Sequence, residues 1–187
     1  ERRTFEGYLR ADGQVGTRNY IGIISSVNCS ATVSRAIADH FNRGGGLAGF
    51  DNVDGVVALT HGTGCAINMQ TEGYQFLIRT LSGYARNPNF GGILMIGLGC
   101  ETNQISFITE KYGLDEGPLL RTMTIQQLGG TRKTVEIASG IIREMLPEVN
   151  AARRTPQPVS RLKVALQCGG SDGYSGISAN PALGAAS

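Results

Sequence analysis

Five short apolar runs, each ending in a polar or glycine-rich stretch and most followed by helical spacing, set the organisation of this chain. They cover residues 20–26, 55–60, 93–98, 121–126 and 162–167. The run at 93–98 is apolar at almost every position, as in a strand covered on both faces. Between the runs the period changes. Val33, Ile37 and Phe41 share one face of a helix that opens near Cys29-Ser30 and ends at the glycines 44–46. Tyr74, Leu77, Ile78 and Leu81 follow i, i+3, i+4, i+7 spacing in a helix over 71–85, broken by Asn87-Pro88-Asn89. A further helix is predicted over 102–112. Another spans 131–146, with Val135, Ala138, Ile142 and Met145 inward and Pro147 as its stop.

Strands alternating with helices predict an α/β fold: a three-layer sandwich on a mostly parallel sheet of about five strands, Rossmann- or flavodoxin-like, with right-handed crossovers. Residues 1–19 read as a hairpin or arm turning at Asp12-Gly13, and 20–187 as a single α/β domain. Residues 151–160, with two prolines and two arginines, read as a surface connection. Asn180-Pro181 reads as a helix opening so near the last residue that the chain is expected to belong to a longer protein.

In such a sheet the loops after the strands gather on one rim, where ligands bind. Here each of four such loops carries a cysteine: SSVNCS (25–30), HGTGC (61–65), GLGCETNQ (97–104) and LQCGGSDGYSG (166–176). Glycine, at 27 residues of 187, is about double its usual share of ~7% and is dense in these loops, where it allows close approach of backbone to a ligand. Four cysteines allow two disulfides, but an ordinary core and strand-end positions favour reduced thiols.

Charge removes several classes of function. A net charge of +2 with interspersed signs shows no basic block for nucleic acid. No apolar run approaches a membrane span, and the N-terminal residues lack a signal-peptide pattern, so a cytoplasmic location is expected. Gly97-Leu98-Gly99 lacks the third glycine of a dinucleotide fingerprint and there is no P-loop, so no nucleotide cofactor is expected.

His61, Cys65, Cys100, Glu101 and Cys168 offer imidazole, thiolate and carboxylate donors suited to zinc or iron(II). The competing reading makes the cysteines small hydrophobes at strand ends. Ser30, Thr71, Thr102 and Asn180 stand near helix starts, where backbone N–H groups attract a carboxylate, and Arg18 adds a bidentate partner. Ser171 and Asp172 sit among glycines with no capping duty.

The stretches GYLRADGQVGTRNYIGIISSVNCSAT, HGTGC, NPNFGGILMIGLGCETNQI and GGSDGYSGISANPALG resemble the altronate/galactarate dehydratase family of sugar-acid dehydratases, with residues 72–105 closer to the altronate branch. The resemblance implies a second domain flanked by neighbouring domains. It also implies a divalent metal, iron(II) or alternatively manganese, and loss of water from an aldonic or aldaric acid to give a 2-keto-3-deoxy acid. Within that chemistry His61, Glu101 and Asp172 are the acid/base candidates, and His61, Cys65, Cys100 and Cys168 the candidate ligands. Arg18, Asn28, Ser30, Thr63, Asn103, Gln104, Ser171 and Asn180 are the candidates for binding the sugar acid. Sulfolactate lyases share the framework and are the rival reading. A scaffold domain, inactive in isolation, is the other rival, and a homo-oligomer stays open.

Overall fold

The computed structural model describes residues 3–167 and 169–187. Four strands form a parallel sheet in the order β4-β3-β5-β6: β3 (Tyr20–Ser25), β4 (Gly55–Leu59), β5 (Phe90–Gly97) and β6 (Leu120–Thr124). Alternation along the two central strands decides which layer each side chain joins. Ile21, Ile23, Leu94 and Ile96 meet α1 (Ala31–Arg43) and α4 (Thr131–Ala151) through Val33, Ile37, Phe41, Ala138, Ile142 and Met145. Ile24, Ile93 and Met95 meet α2 (Glu72–Ala85) and α3 (Ile105–Tyr112) on the opposite face through Tyr74, Ile78, Leu81 and Ile108. Two helices on each face make the three layers of the expected α/β sandwich.

The chain leaves β3 toward one edge for β4, then crosses back to place β5 on the other side of β3. Strand order therefore reverses between β3 and β5. In open α/β sheets the carboxyl ends of such a pair bound the crevice where ligands bind.

A second sheet is antiparallel, in the order β2-β1-β7, from β1 (Thr4–Leu9), β2 (Val15–Gly16) and β7 (Arg154–Pro158). The hairpin turns at Asp12-Gly13 as expected, with Gly13 at φ 81°. The stretch read as a surface connection supplies β7, paired with β1 from Thr4↔Pro158 to Tyr8↔Arg154. Proline is tolerated there because β7 is an edge strand, and Pro156 and Pro158 at alternate positions turn their missing donors the same way.

Two other expectations are corrected. Residues 162–167 carry no strand: Val164 is 70% exposed and Leu166 53%. The parallel sheet thus has four strands rather than about five. Pro147 lies inside α4 rather than ending it. The helix continues because Val149 is buried, its carbonyl accepts from Asn19 Nδ2 at 2.9 Å, and Asn150 is tied to Asn52. This packing outweighs one missing hydrogen bond.

Candidate functional site

The carboxyl ends of the four parallel strands do form one rim, and its loops are bound to one another by backbone. After β3 the chain passes through buried Ser25, Ser26 and Val27 into a single 3-10 turn, Asn28–Ser30, before α1. Asn28 N–H donates to Thr63 O in the loop after β4 at 2.8 Å. That loop reaches the next one through Thr102 N–H to Cys65 O at 2.9 Å and Asn103 N–H to Gly64 O at 3.4 Å. Gly64, at φ 102°, lies so close to the first loop that a Cβ there would stand 3.1 Å from Val27 Cα and 2.7 Å from Ser26 O. Only glycine suits both the dihedral and the space.

Glu101 anchors this junction. Its side chain is buried and accepts from Ser26 Oγ at 2.8 Å, Leu98 N–H at 3.1 Å and Gly99 N–H at 2.6 Å. Backbone donors and a hydroxyl thus surround the carboxylate, which is how a buried acid is stabilised without a cationic partner. Gly97 makes room, since a Cβ there would run into Glu101 Oε1. Glu101, expected as an acid/base candidate, thus holds the loop from inside.

His61 is half-buried. Its Nε2 lies 3.0 Å from Ser25 O, and its Nδ1 accepts from Thr63 N–H at 3.3 Å. These partners select the neutral tautomer with the proton on Nε2. Burial lowers the imidazole pKa below its ordinary value, and the bond to Ser25 O offsets part of that. Both ring nitrogens of this acid/base or ligand candidate are therefore engaged with neighbouring backbone.

Ser30 is also turned inward. It occupies the N-cap position of α1 without capping it, its hydroxyl lying 2.8 Å from Ile96 O and 2.9 Å from Val27 O. Asn103 is buried and donates to Ser26 O at 2.7 Å, and its Oδ1 has no partner among the described residues. Gln104 donates to Gly99 O and Glu101 O.

What remains on the outer surface is a set of thiols with a few polar groups. Cys29, Cys65 and Cys100 are all exposed and reduced, with Asn28 and Thr63 exposed beside them. Cys65 interacts with both other sulfurs: the nearby Cys29 raises its pKa most, followed by desolvation and more weakly by Cys100 and Glu101. Gln126, at the end of β6, brings its Nε2 to 3.5 Å from Cys100 Sγ. Ser26 and Gln126 were not among the residues singled out from sequence. Ser26 carries no distinctive signal, whereas Gln126 closes the run at 121–126, and that carboxyl-end position was the available clue.

The structure does not bring every expected residue to this rim. Arg18 pairs with Asp54 at 3.3 Å just before β3 and β4, at the opposite end of the sheet. Ser171, Asp172 and Asn180 are exposed in the C-terminal segment, and residues 162–167 do not form the strand that was to deliver them. Asp172 does have a local duty: it accepts from Tyr174 N–H at 2.8 Å and Ser175 N–H at 2.9 Å, which lowers its pKa. Asn180 opens α5 (Asn180–Ala186), with Pro181 in its first turn. Cys168 lies outside the described residues. A cavity of 540 Å³ lined by Thr17, Asn89, Arg161 and Val164 also sits away from the rim, beside the N-terminal ends of the strands.

Among the described residues no group of three or more His, Cys, Asp or Glu side chains is arranged to hold a metal ion. Also among them, no helix is long and apolar enough to cross a membrane.

The same rim loops fall within a family profile described as D-galactarate dehydratase/Altronate hydrolase, second domain, which matches residues 7–150. The chain belongs to this family. A second profile, D-galactarate/Altronate dehydratase, C-terminal, matches residues 159–187, so the two family units meet between 150 and 159, around β7. Among curated relatives, altronate dehydratase of Bacillus subtilis (strain 168) is 35% identical over 185 residues, covering 98% of this chain and 36% of the relative. Galactarate dehydratase (L-threo-forming) of Escherichia coli (strain K12) is 40% identical over 192 residues, with coverages of 98% and 36%. The beta subunit of (2R)-sulfolactate sulfo-lyase from Chromohalobacter salexigens is 31% identical over 184 residues, covering 98% of this chain and 43% of that subunit. The chain therefore spans about a third of the length of the dehydratases it matches. Identity does not separate the altronate branch from the galactarate branch.

Proposed function

We propose that this chain is the central domain of a hydro-lyase that removes water from a sugar acid, altronate- or galactarate-like, to give a 2-keto-3-deoxy acid. The observation that carries the reading is that the loops after β3, β4 and β5, all within the family match, are bonded to one another beside the β3/β5 reversal, the part of an open α/β sheet suited to a small polar ligand. In the elimination a proton leaves the carbon next to a carboxylate, and negative charge develops that fixed dipoles must stabilise. The described residues contribute orientation. Glu101, His61 and Asn103 lock three loops together from below, and Asn28 and Thr63 face outward to hydrogen-bond hydroxyls of a polyhydroxy acid.

A divalent metal, with iron(II) expected from the family resemblance, would act as a Lewis acid on the carboxylate and 2-hydroxyl. The exposed thiols are suitable donors in kind, but the described residues do not form a three-donor site for it.

The test is an assay of the full-length protein against altronate, galactarate and sulfolactate, scoring 2-keto-3-deoxy acid and sulfite. Keto-acid formation from a sugar acid is expected. Sulfite release from sulfolactate without keto-acid formation would move the protein to the lyase branch, and neither product would overturn the reading.

A further inference from the structure

We propose that Cys29 and Cys65 form a redox-active dithiol that closes to a disulfide across the first two rim loops. The two thiols are 36 residues apart in sequence but belong to loops already fixed against each other. Asn28 N–H bonds Thr63 O at 2.8 Å on one side of the pair, and on the other Thr102 N–H bonds Cys65 O at 2.9 Å. Gly64 packs directly on Val27, which places the following residue beside the turn that carries Cys29. Cys29 is the strongest electrostatic influence on Cys65, as a near neighbour on the same rim, and both thiols are exposed to a dissolved oxidant. The loops that carry the two thiols are thus fixed to each other by backbone bonds, and the proposal requires the disulfide to close on that frame by side-chain rotation.

Hydrogen peroxide suffices as the oxidant. One sulfur, as thiolate, attacks one oxygen of the O–O bond and becomes a sulfenic acid, and the hydroxide released takes up the proton that the thiol lost on ionising, giving one water. The second sulfur then displaces hydroxide from it, the S–S bond forms, and the hydroxide takes up the departing thiol proton as a second water. Two thiols and one peroxide give one disulfide and two waters. A dithiol reductant reverses the change by exchange. The consequence is covalent fixation of the loops after β3 and β4 beside exposed Asn28 and Thr63, with two soft donors removed from the rim. Cys100 is the competing partner. It influences Cys65 more weakly than Cys29 does.

The experiment treats the full-length protein with hydrogen peroxide, blocks remaining thiols, and maps tryptic peptides without reduction. Cys29, Cys65 and Cys100 fall in separate peptides, residues 19–35, 44–79 and 87–111. The expected product is a crosslink between 19–35 and 44–79 with a loss of about 2 Da relative to the two free peptides. It should disappear on treatment with dithiothreitol, be absent in C29S and C65S, and persist in C100S. A predominant crosslink to 87–111, or recovery of 19–35 and 44–79 only as blocked or over-oxidised single peptides, would overturn the proposal. The readout is covalent and independent of turnover, so its failure is distinguishable from failure of the dehydratase reading.

Discussion

Substituting Glu101 by Gln tests whether the rim is held by a buried acceptor. The exchange keeps size and shape, and alters one oxygen. Oε1 can be retained opposite Ser26 Oγ and Leu98 N–H, but the new amide nitrogen then replaces Oε2, which accepts from Gly99 N–H at 2.6 Å. A donor would face a donor at a separation that neither can leave without moving the loop. Hydrogen bonds to a charged group contribute about 1.5–3 kcal/mol each, and an unpaired buried donor costs about 1–3 kcal/mol. Relief from burying a charge returns part of this. A net loss of about 2 kcal/mol follows.

Urea unfolding followed by far-UV circular dichroism measures it. With a urea m value of about 2–3 kcal/mol per molar, the midpoint should fall by roughly 0.7–1 M at unchanged m. A shift below about 0.2 M would refute the argument, because Gly99 N–H would then have no need of that oxygen.

Two further perturbations probe the same junction. Gly97→Ala should lower stability by about 1–3 kcal/mol, seen as a drop of roughly 2–12 °C in Tm, because the added methyl runs into Glu101 Oε1 and stands 3.2 Å from Ser26 Oγ. An unchanged melting curve would show that the carboxylate does not occupy that space. His61 gives a pH dependence. Its folded-state pKa lies below the ordinary 6.5, so the unfolded chain binds the proton first as pH falls. The stability it contributes is complete above about pH 6.5 and is lost as the pH falls from there toward the native value. His61→Gln should flatten the slope of unfolding free energy against pH in that window, and identical slopes would refute the burial argument.

The sequence pattern revealed the sheet because parallel strands buried on both faces are written as apolar runs, and Ile21–Ile24 and Ile93–Ile96 are such runs. It failed at 162–167 for the complementary reason. Leu162, Val164 and Leu166 have strand-like composition, but a strand exists only where a neighbour supplies a ladder, and none does here. It failed again at β7, where Pro156 and Pro158 disguise an edge strand. Position on the rim was legible for Asn28, His61, Thr63, Cys65, Cys100 and Glu101, since each directly follows a strand. The misplacement of Arg18 was avoidable: a residue that precedes a parallel strand belongs at the opposite end of the sheet. Side-chain direction was not legible. Glu101 and Cys100 are neighbours in one loop, yet one is buried and the other exposed.

That inversion has a physical cause. A loop that must pass close to two others at a strand reversal buries backbone donors, here Leu98 and Gly99, and buried donors need an acceptor. Glu101 meets that demand from within the same loop, and Asn103 answers the matching need of a buried carbonyl by donating to Ser26 O. The groups with the strongest acid–base character are therefore committed to holding the loops. Thiols make poorer hydrogen bonds and contribute little to such a frame, so they are the side chains left facing outward. On this account the chemical character of the described rim lies in its sulfurs, and its polar residues determine where those sulfurs stand.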